Sequence, residues 1–245
     1  MKLKTSILLA TSLALASGAH AATIAWTTSG LTGPSDVRPT TVNETTVLGY
    51  VPHATSAVTV NGVAFANSMT GTGGVSMSQN LNGAAYSGTE GNSQLGTAVS
   101  TVGGSTTYKD LLEGCQWNFT GSLTTPPTIT LTFSGLTLNQ KYEVRVWAAD
   151  YRSFGVNRYV SVDGGTTNVD YNGTDTANTT TGGGFFTGVF TADTATQSFT
   201  LTGYKTGQQN DAATQYNALQ LSAIPEPSAA LLGGLGMLAL LRRRR

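Results

Sequence analysis

Apolar and polar side chains alternate at every second position in several short segments of the chain. The clearest example is residues 141–149, where one apolar face opposes a face with charges and a tryptophan: Tyr142, Val144, Val146 and Ala148 against Glu143, Arg145 and Trp147. Residues 196–203 repeat the pattern, with Phe199 and Leu201 between hydroxyl side chains. A period of two is typical of a β-strand, so each segment is predicted to have one buried and one wetter face.

Short β-rich runs of this kind recur along the chain, separated by Gly, Asn, Asp and Pro. The predicted strands are 23–28, 46–51, 57–66, 97–102, 128–134, 141–149, 157–163, 185–191, 196–203 and 215–223. One short helix is predicted over 107–112, whereas the polar segment 67–97 gives no clear pattern. Many short strands with turn-rich gaps favour an all-β fold, a β-sandwich of jelly-roll type, over residues 22–223.

The first twenty-one residues have the pattern of a secretory signal peptide. Lys2 and Lys4 precede the apolar run 7–16, and Ala19-His20-Ala21 supplies a small-x-small cleavage site. We expect cleavage after Ala21, so that residues 1–21 form a signal helix that is removed on export. The alternative is a buried N-terminal helix, which would have no need of the basic start.

The C-terminal segment 224–245 combines an apolar run with a basic end. Residues 228–241 are apolar, and the chain then ends in Arg242, Arg243, Arg244 and Arg245. As a helix the run would span roughly 21 Å, against ~30 Å for the hydrocarbon core of a bilayer. The arginines should remain cytoplasmic. A marginal transmembrane helix of this kind suits a transient anchor; the alternative is a core helix that ends in a solvated tail.

Just before the apolar run stand Pro225, Glu226 and Pro227. This tripeptide, followed by a short apolar helix and an arginine cluster, resembles the PEP-CTERM sorting signal of Gram-negative bacteria. The resemblance implies an exported protein that an exosortase-type sorting enzyme recognises near Pro225–Pro227. Such a protein would be held transiently at the inner membrane and then reach the cell surface or the extracellular matrix.

Charge and the scarcity of cysteine and histidine exclude several classes of function. Between residues 22 and 224 the chain has seven basic and twelve acidic side chains, hence a net charge of −5, which disfavours nucleic-acid binding. Cys115 is the only cysteine, so no intrachain disulfide can form. His53 is the only histidine beyond the signal peptide, which leaves little basis for a zinc enzyme or a Ser-His-Asp triad.

The middle of the chain has a second, looser resemblance. Segments such as Ser134-Gly135-Leu136-Thr137, Gln140-Lys141-Tyr142 and Val162-Asp163-Gly164 resemble β-sandwich domains of the galactose-binding-like and malectin-like kind. Those domains often bind glycans, and the resemblance implies the same class of ligand here. A fold does not fix a ligand by itself, so the residues of the site must carry the argument.

The candidate glycan-binding residues cluster where strand 141–149 ends and strand 157–163 begins. They are Trp147, Asp150, Tyr151, Arg152, Arg158 and Tyr159, with Asn157 beside them. An aromatic ring covers the C–H face of a sugar, and charged or amide groups bind its hydroxyls. The alternative is that Trp147 packs beneath a loop while Arg152 and Arg158 pair with Asp150 and Asp163.

Glycan hydrolysis requires two carboxylates at a fixed separation. The available pairs are Asp110 with Glu113 and Asp150 with Asp163. The residues around neither pair indicate a catalytic site, so we expect that the protein is not an enzyme. A purely structural or adhesive surface protein and a glycan-active enzyme remain the alternatives to polysaccharide binding. No cofactor is expected; a structural calcium near Asp170 and Asp175 is the open alternative.

Overall fold

The computed structural model describes residues 22–40, 44–52, 56–88, 106–121, 125–150, 157–164, 167–172, 183–205 and 213–225. These residues form fifteen strands, one α-helix (α1, Thr106–Glu113) and a short 3-10 turn, Pro34–Asp36. The strands are β1 (Ala25–Gly30), β2 (Thr45–Tyr50), β3 (Val58–Val60), β4 (Val63–Phe65), β5 (Ser76–Leu81), β6 (Ala84–Gly88), β7 (Cys115–Phe119), β8 (Thr128–Ser134), β9 (Lys141–Ala148), β10 (Arg158–Val162), β11 (Asn168–Asp170), β12 (Gly184–Thr191), β13 (Thr196–Lys205), β14 (Thr214–Tyr216) and β15 (Ala218–Ile224).

Two five-stranded antiparallel sheets form the body of the protein. The first sheet has the order β1-β12-β9-β15-β2, and the second has the order β11-β10-β13-β8-β5. A three-stranded sheet, β14-β7-β6, and the hairpin β3-β4 accompany them. The prediction of an all-β fold is therefore confirmed, whereas its jelly-roll description stays a prediction.

The main apolar core lies between the two large sheets. Val144 and Val146 of β9 point into it from the first sheet, and Phe199 and Leu201 of β13 point into it from the second. Trp26 of β1 meets Phe199 edge-on, with ring centroids 5.0 Å apart. Alternate residues of both sheets thus bury one apolar face, as the period-two pattern predicted, and the result is a β-sandwich.

The opposite face of the first sheet is buried as well, so the prediction of a wetter face at Glu143, Arg145 and Trp147 is wrong. Hairpin β3-β4 and helix α1 contribute apolar side chains to a second cluster on this face, which includes Trp147. The Trp147 ring stacks on Phe185 at 5.8 Å and meets Phe65 edge-on at 6.1 Å between centroids. The alternation of apolar and polar residues in the sequence distinguishes the two faces of a strand. It does not show whether another helix or hairpin covers the more polar face.

Glu143 and Arg145 are accommodated on that face by an ion-pair network. The Arg38 guanidinium donates to the carboxylates of Glu44 and Glu143, and Arg145 Nε donates to Glu143 Oε1 at 2.8 Å. The hydrogen bond from Arg38 lowers the pKa of the Glu44 carboxyl below its ordinary value, against the effect of burial. The network ties the segment around Arg38 to the middle of the first sheet.

The predicted strand 57–66 is two strands in the structure, and two strands lie in segment 67–97, where none was predicted. Segment 57–66 is a hairpin, because Asn61 and Gly62 adopt φ values of 48° and 78°, as a two-residue type I′ turn requires. Segment 67–97, which gave no pattern, contains β5 and β6. The predicted strand 97–102, signal peptide 1–21 and apolar helix 228–241 lie outside the described residues. Within the described ranges, no helix has the length and apolar character that a membrane span requires.

Candidate functional site

The predicted site residues that the structure describes, Trp147, Asp150, Arg158 and Tyr159, lie at one end of the sandwich, which we call the loop end. Five strand termini meet there: Ala148 of β9, Arg158 of β10, Asp170 of β11, Lys205 of β13 and Thr214 of β14. Backbone hydrogen bonds join the segments that follow β9 and β11 to the start of β10. Asp150 N donates to Tyr171 O at 2.5 Å, and Tyr171 N donates to Arg158 O at 3.0 Å. The loop end therefore brings the ends of strands 141–148 and 158–162 together.

Two of the six predicted residues are buried at this end. Trp147 is 0% exposed and Asp150 is 1% exposed, so the indole has no face on which a sugar could stack from solvent. Among the described residues Trp147 Nε1 has no hydrogen-bond partner. Tyr151 and Arg152 lie outside the described residues. The packing of Trp147 in an apolar cluster agrees with the alternative that the sequence left open for it.

Arg158 and Tyr159 point to opposite faces of β10. Arg158 shares the face of Val160 and Val162, which are buried in the core, and its backbone N–H donates to Asn172 Oδ1 at 2.7 Å. Tyr159 lies on the outer face of the second sheet and stays partly exposed. Successive side chains of a strand alternate between faces, so neighbours in sequence cannot serve one surface.

The outer face at the loop end carries a group that we call the tyrosine platform: Asn157, Tyr159, Asp170 and Tyr204. Tyr159 lies directly opposite Tyr204 of β13 on one side and Asp170 of β11 on the other. Asn157 Nδ2 donates to Tyr159 Oη at 3.2 Å and to Asp170 Oδ2 at 3.1 Å. All four side chains are partly exposed. Two rings on adjacent strands thus lie beside amide and carboxylate groups.

This arrangement has the chemistry that sugar recognition requires. Residues directly opposite on antiparallel strands have Cβ atoms about 5 Å apart, so the two phenol side chains extend from neighbouring positions on the outer face. Each ring also ends in a hydroxyl, and Asn157 and Asp170 add hydrogen-bonding groups at one edge. Sequence analysis missed Tyr204, although it continues the outer-face series Ser198, Thr200 and Thr202 at period two.

Of the carboxylate pairs considered for catalysis, Asp150 and Asp163 are not brought together. Asp163 lies beyond the far end of β10 from Asp150, where it accepts from Trp26 Nε1 at 2.9 Å and from Thr200 N at 3.1 Å. Glu113 forms an ion pair with Lys109 at 2.8 Å on α1. Within the described ranges, no group of three His, Cys, Asp or Glu side chains could hold a metal ion. Asp175, considered for calcium, lies outside these ranges.

Comparison with known proteins gives distant likenesses. No protein-family model and no curated protein matches this chain. An exo-β-1,3-galactanase from Phanerochaete chrysosporium with β-1,3-galactotriose is similar at 17% identity and TM-score 0.31, over 67% of this chain and 32% of that one. The enzymatically active domain of tailspike protein 4 from bacteriophage CBA120 is similar at 9% identity and TM-score 0.25, over 61% of this chain and 19% of that one.

This chain spans about a third or less of the length of those solved structures. Likeness at this level fixes neither the fold nor the activity of the chain. The expectation that the chain is not an enzyme is corrected. The similar solved structures are a galactanase and an enzymatically active domain. The lack of a recognisable carboxylate pair in the sequence does not by itself exclude catalysis.

Proposed function

We propose that this is an exported protein that binds polysaccharide of the cell envelope or the extracellular matrix at the tyrosine platform. The single observation that carries the proposal is the cross-strand pair of Tyr159 and Tyr204, both partly exposed, on the outer face of the second sheet. Asn157 and Asp170 stand beside Tyr159, where they can bind the hydroxyls of a sugar whose C–H face covers a ring.

The delivery of the protein rests on the two ends of the sequence. Residues 1–21 act as a signal peptide, and the segment from Pro225 to Arg245 acts as a PEP-CTERM sorting signal that an exosortase-type enzyme reads at the inner membrane. One structural feature supports this role: β15 ends at Ile224, and Pro225 is exposed immediately after it. A sorting enzyme could therefore reach Pro225, the first residue of the motif, without unfolding the sandwich.

Affinity electrophoresis of the full-length protein tests the binding proposal. The protein is purified in a detergent without a sugar headgroup and run through native gels that contain single β-glucans, galactans or mannans. We expect at least one polysaccharide to retard it, and Tyr159→Ala and Tyr204→Ala each to weaken binding about tenfold, as loss of one stacking ring implies. Thr191→Val, on the outer face of the other sheet, is the control. If no polysaccharide retards the protein, a purely structural role is favoured instead.

Glycan hydrolysis is the second candidate function. It is favoured by the pairing of the segments that carry Asp150 and Asp170, because Asp150 N donates a hydrogen bond to Tyr171 O. Asp170 is partly exposed, whereas Asp150 is 1% exposed and would have to act from beneath the surface. Incubation of the full-length protein with each retarding polysaccharide separates the two functions. New reducing ends, lost in Asp170→Asn, would indicate hydrolysis, whereas retardation without new reducing ends would indicate binding alone.

A further inference from the structure

The outer face of the second sheet continues beyond the tyrosine platform as rows of small polar side chains in register. Thr200, Thr130 and Asn80 lie opposite one another across β13, β8 and β5, and Ser198, Thr132 and Ser78 form the next row. We call these six residues the hydroxyl face. Ser78, Asn80 and Ser198 are exposed, and the other three are partly exposed.

The hydroxyls of this face are held in place by one another. Thr130 Oγ1 and Thr200 Oγ1 are 3.0 Å apart, and Thr132 Oγ1 and Ser198 Oγ are 2.8 Å apart. A hydroxyl has one donor and two acceptor sites, so each bonded pair keeps one donor and several acceptors for a ligand. Because the threonine side chains are also stiff at χ1, a ligand that binds here loses little free energy to the ordering of side chains.

Ser161 lies between the tyrosine platform and the hydroxyl face, but it does not offer its hydroxyl to a ligand. It lies on the same outer face, opposite Thr202, in the row between the platform and the hydroxyl face. Its side chain is buried, and among the described residues Ser161 Oγ has no hydrogen-bond partner. Because Ser161 is 1% and Thr202 is 6% exposed, a ligand on this face would contact the platform and the hydroxyl face but not the row between them.

The hydroxyl face carries no charged side chain. The charged network of Arg38, Glu44, Glu143 and Arg145 lies on the outer face of the other sheet, beside the apolar cluster under β3-β4 and α1. The only carboxylate in the tyrosine platform, Asp170, already accepts a hydrogen bond from Asn157. A ligand gains no ion pair on this surface, so a neutral polymer fits it better than an anionic one.

We infer that the ligand is a long, neutral, extended polysaccharide that runs from the tyrosine platform along β13 and β8 across the hydroxyl face. This inference rests on the proposed function and deepens it. Strand β13 has ten residues, hence a length of roughly 33 Å, enough for several consecutive sugar rings. A protein partner fits poorly, because interface cores are rich in apolar and aromatic side chains that the hydroxyl face lacks.

The test compares short and long fractions of one neutral polysaccharide that retards the full-length protein, together with its carboxymethylated form. The double variant Thr130→Val/Thr200→Val keeps the shape of the strand pair but removes two hydroxyls. It should bind the long fraction about tenfold more weakly, as the loss of two hydrogen bonds implies, and the short fraction unchanged. Ser198→Lys, on an exposed position, should gain affinity for the carboxymethylated form, which the wild type binds weakly.

The outcomes separate this inference from the proposed function. If Tyr204→Ala loses both fractions while the double valine variant and Ser198→Lys behave like the wild type, the extended hydroxyl face is overturned and platform binding stands. Binding of the carboxymethylated form as tight as that of the neutral form also overturns the inference. If the wild type binds neither fraction of any polysaccharide, both proposals fail. Thr191→Val is again the matched control, and melting temperatures verify that each variant is folded.

Discussion

The side chain of Asn217 donates through Nδ2 to the carbonyl oxygen of Leu112 over 2.8 Å. Its Oδ1 accepts from the backbone N–H of Ala149 at 2.7 Å, so one amide joins the last turn of α1 to the end of β9. The last carbonyls of a helix have no partner within the helix, and Asn217 supplies one. It lies between β14 and β15, where the chain passes from the three-stranded sheet to the first sheet.

Replacement of Asn217 by alanine should therefore be strongly destabilising. The residue is 1% exposed, and its loss leaves a buried carbonyl and a buried N–H without these partners, which costs about 2–4 kcal/mol in free energy of unfolding. Chemical denaturation of the full-length protein measures the change. Asn80→Ala, at an exposed position on β5, is the matched control and should stay within about 0.5 kcal/mol of the wild type. Equal stabilities of the two variants would disprove the role of Asn217.

Trp147→Phe separates packing from ligand binding. The indole is buried against Phe65 and Phe185, so a smaller ring leaves a cavity that should cost about 1–2 kcal/mol. Polysaccharide binding should not change, because the indole has no solvent-facing surface. Denaturation and affinity electrophoresis on the same preparation give both answers. A loss of binding at unchanged stability would return Trp147 to the ligand site.

The strands that alternate over a full sandwich face were predictable from sequence. Segments 128–134 and 141–149 coincide with β8 and β9 to within one residue, because their inner faces are continuous runs of apolar side chains. Strand β5, with the sequence SMSQNL, was missed because its only strongly apolar positions are Met77 and Leu81. It is held by pairing with β8 rather than by its own pattern.

The site was less predictable than the strands that position it. Tyr159 and Tyr204 are 45 positions apart in sequence and become neighbours only through the pairing of β10 with β13. The cluster proposed from sequence around Trp147 joined residues that the strands direct to different faces. Local spacing placed Trp147, Arg158 and Tyr159 at the same end of the sandwich. Which face each residue occupies depends on the elements that cover each sheet, and that is a tertiary property.

Strong alkali should unfold the protein through Tyr216. Burial, together with the neighbouring Tyr50, raises the pKa of Tyr216 well above its ordinary value of 10.0, and its hydroxyl donates to Gln79 Oε1 at 2.7 Å. The fold thus favours the neutral phenol. Its contribution to stability is complete below pH 10 and declines as the pH rises from 10 toward the raised pKa.

Tyr216→Phe should be less stable than the wild type at neutral pH, by about 1 kcal/mol for the lost hydrogen bond. It should lose less stability than the wild type between neutral pH and strong alkali, because one titrating buried group is gone. Melting temperatures over that range measure both effects. Parallel declines of the two proteins would show that Tyr216 does not control the alkaline limit.

The ion-pair network predicts a smaller effect in acid. The hydrogen bond from Arg38 lowers the pKa of Glu44, so the stability that this carboxylate contributes is present above its ordinary pKa of 4.5 and is lost as the pH falls below that value. Glu44→Gln should flatten the acid decline in melting temperature. The side chains of Arg38 and Glu44 remain partly exposed, so added salt should weaken the difference between the two proteins. A variant with the full wild-type acid decline would contradict this assignment.

Sorting has its own test in a Gram-negative host that contains an exosortase. Replacement of Pro225 and Glu226 by alanine should leave full-length protein in the inner membrane, because the motif read by the sorting enzyme is gone. Ile224→Val, one position earlier in β15, is the matched control and should be released normally. Immunoblots of membrane and extracellular fractions report the outcome. Normal release of the alanine variant would remove the PEP-CTERM assignment while leaving the binding proposal intact.

The location of the binding surface can be measured directly by chemical modification of tyrosine. Tyr159 and Tyr204 are partly exposed, whereas Tyr108, Tyr171 and Tyr216 are buried, so nitration followed by mass spectrometry can follow the platform residue by residue. In the presence of a saturating neutral polysaccharide that retards the protein, we expect nitration of Tyr159 and Tyr204 to fall together. If that polysaccharide is bound while both tyrosines are nitrated as fast as in its absence, the outer face of the second sheet is not the binding surface.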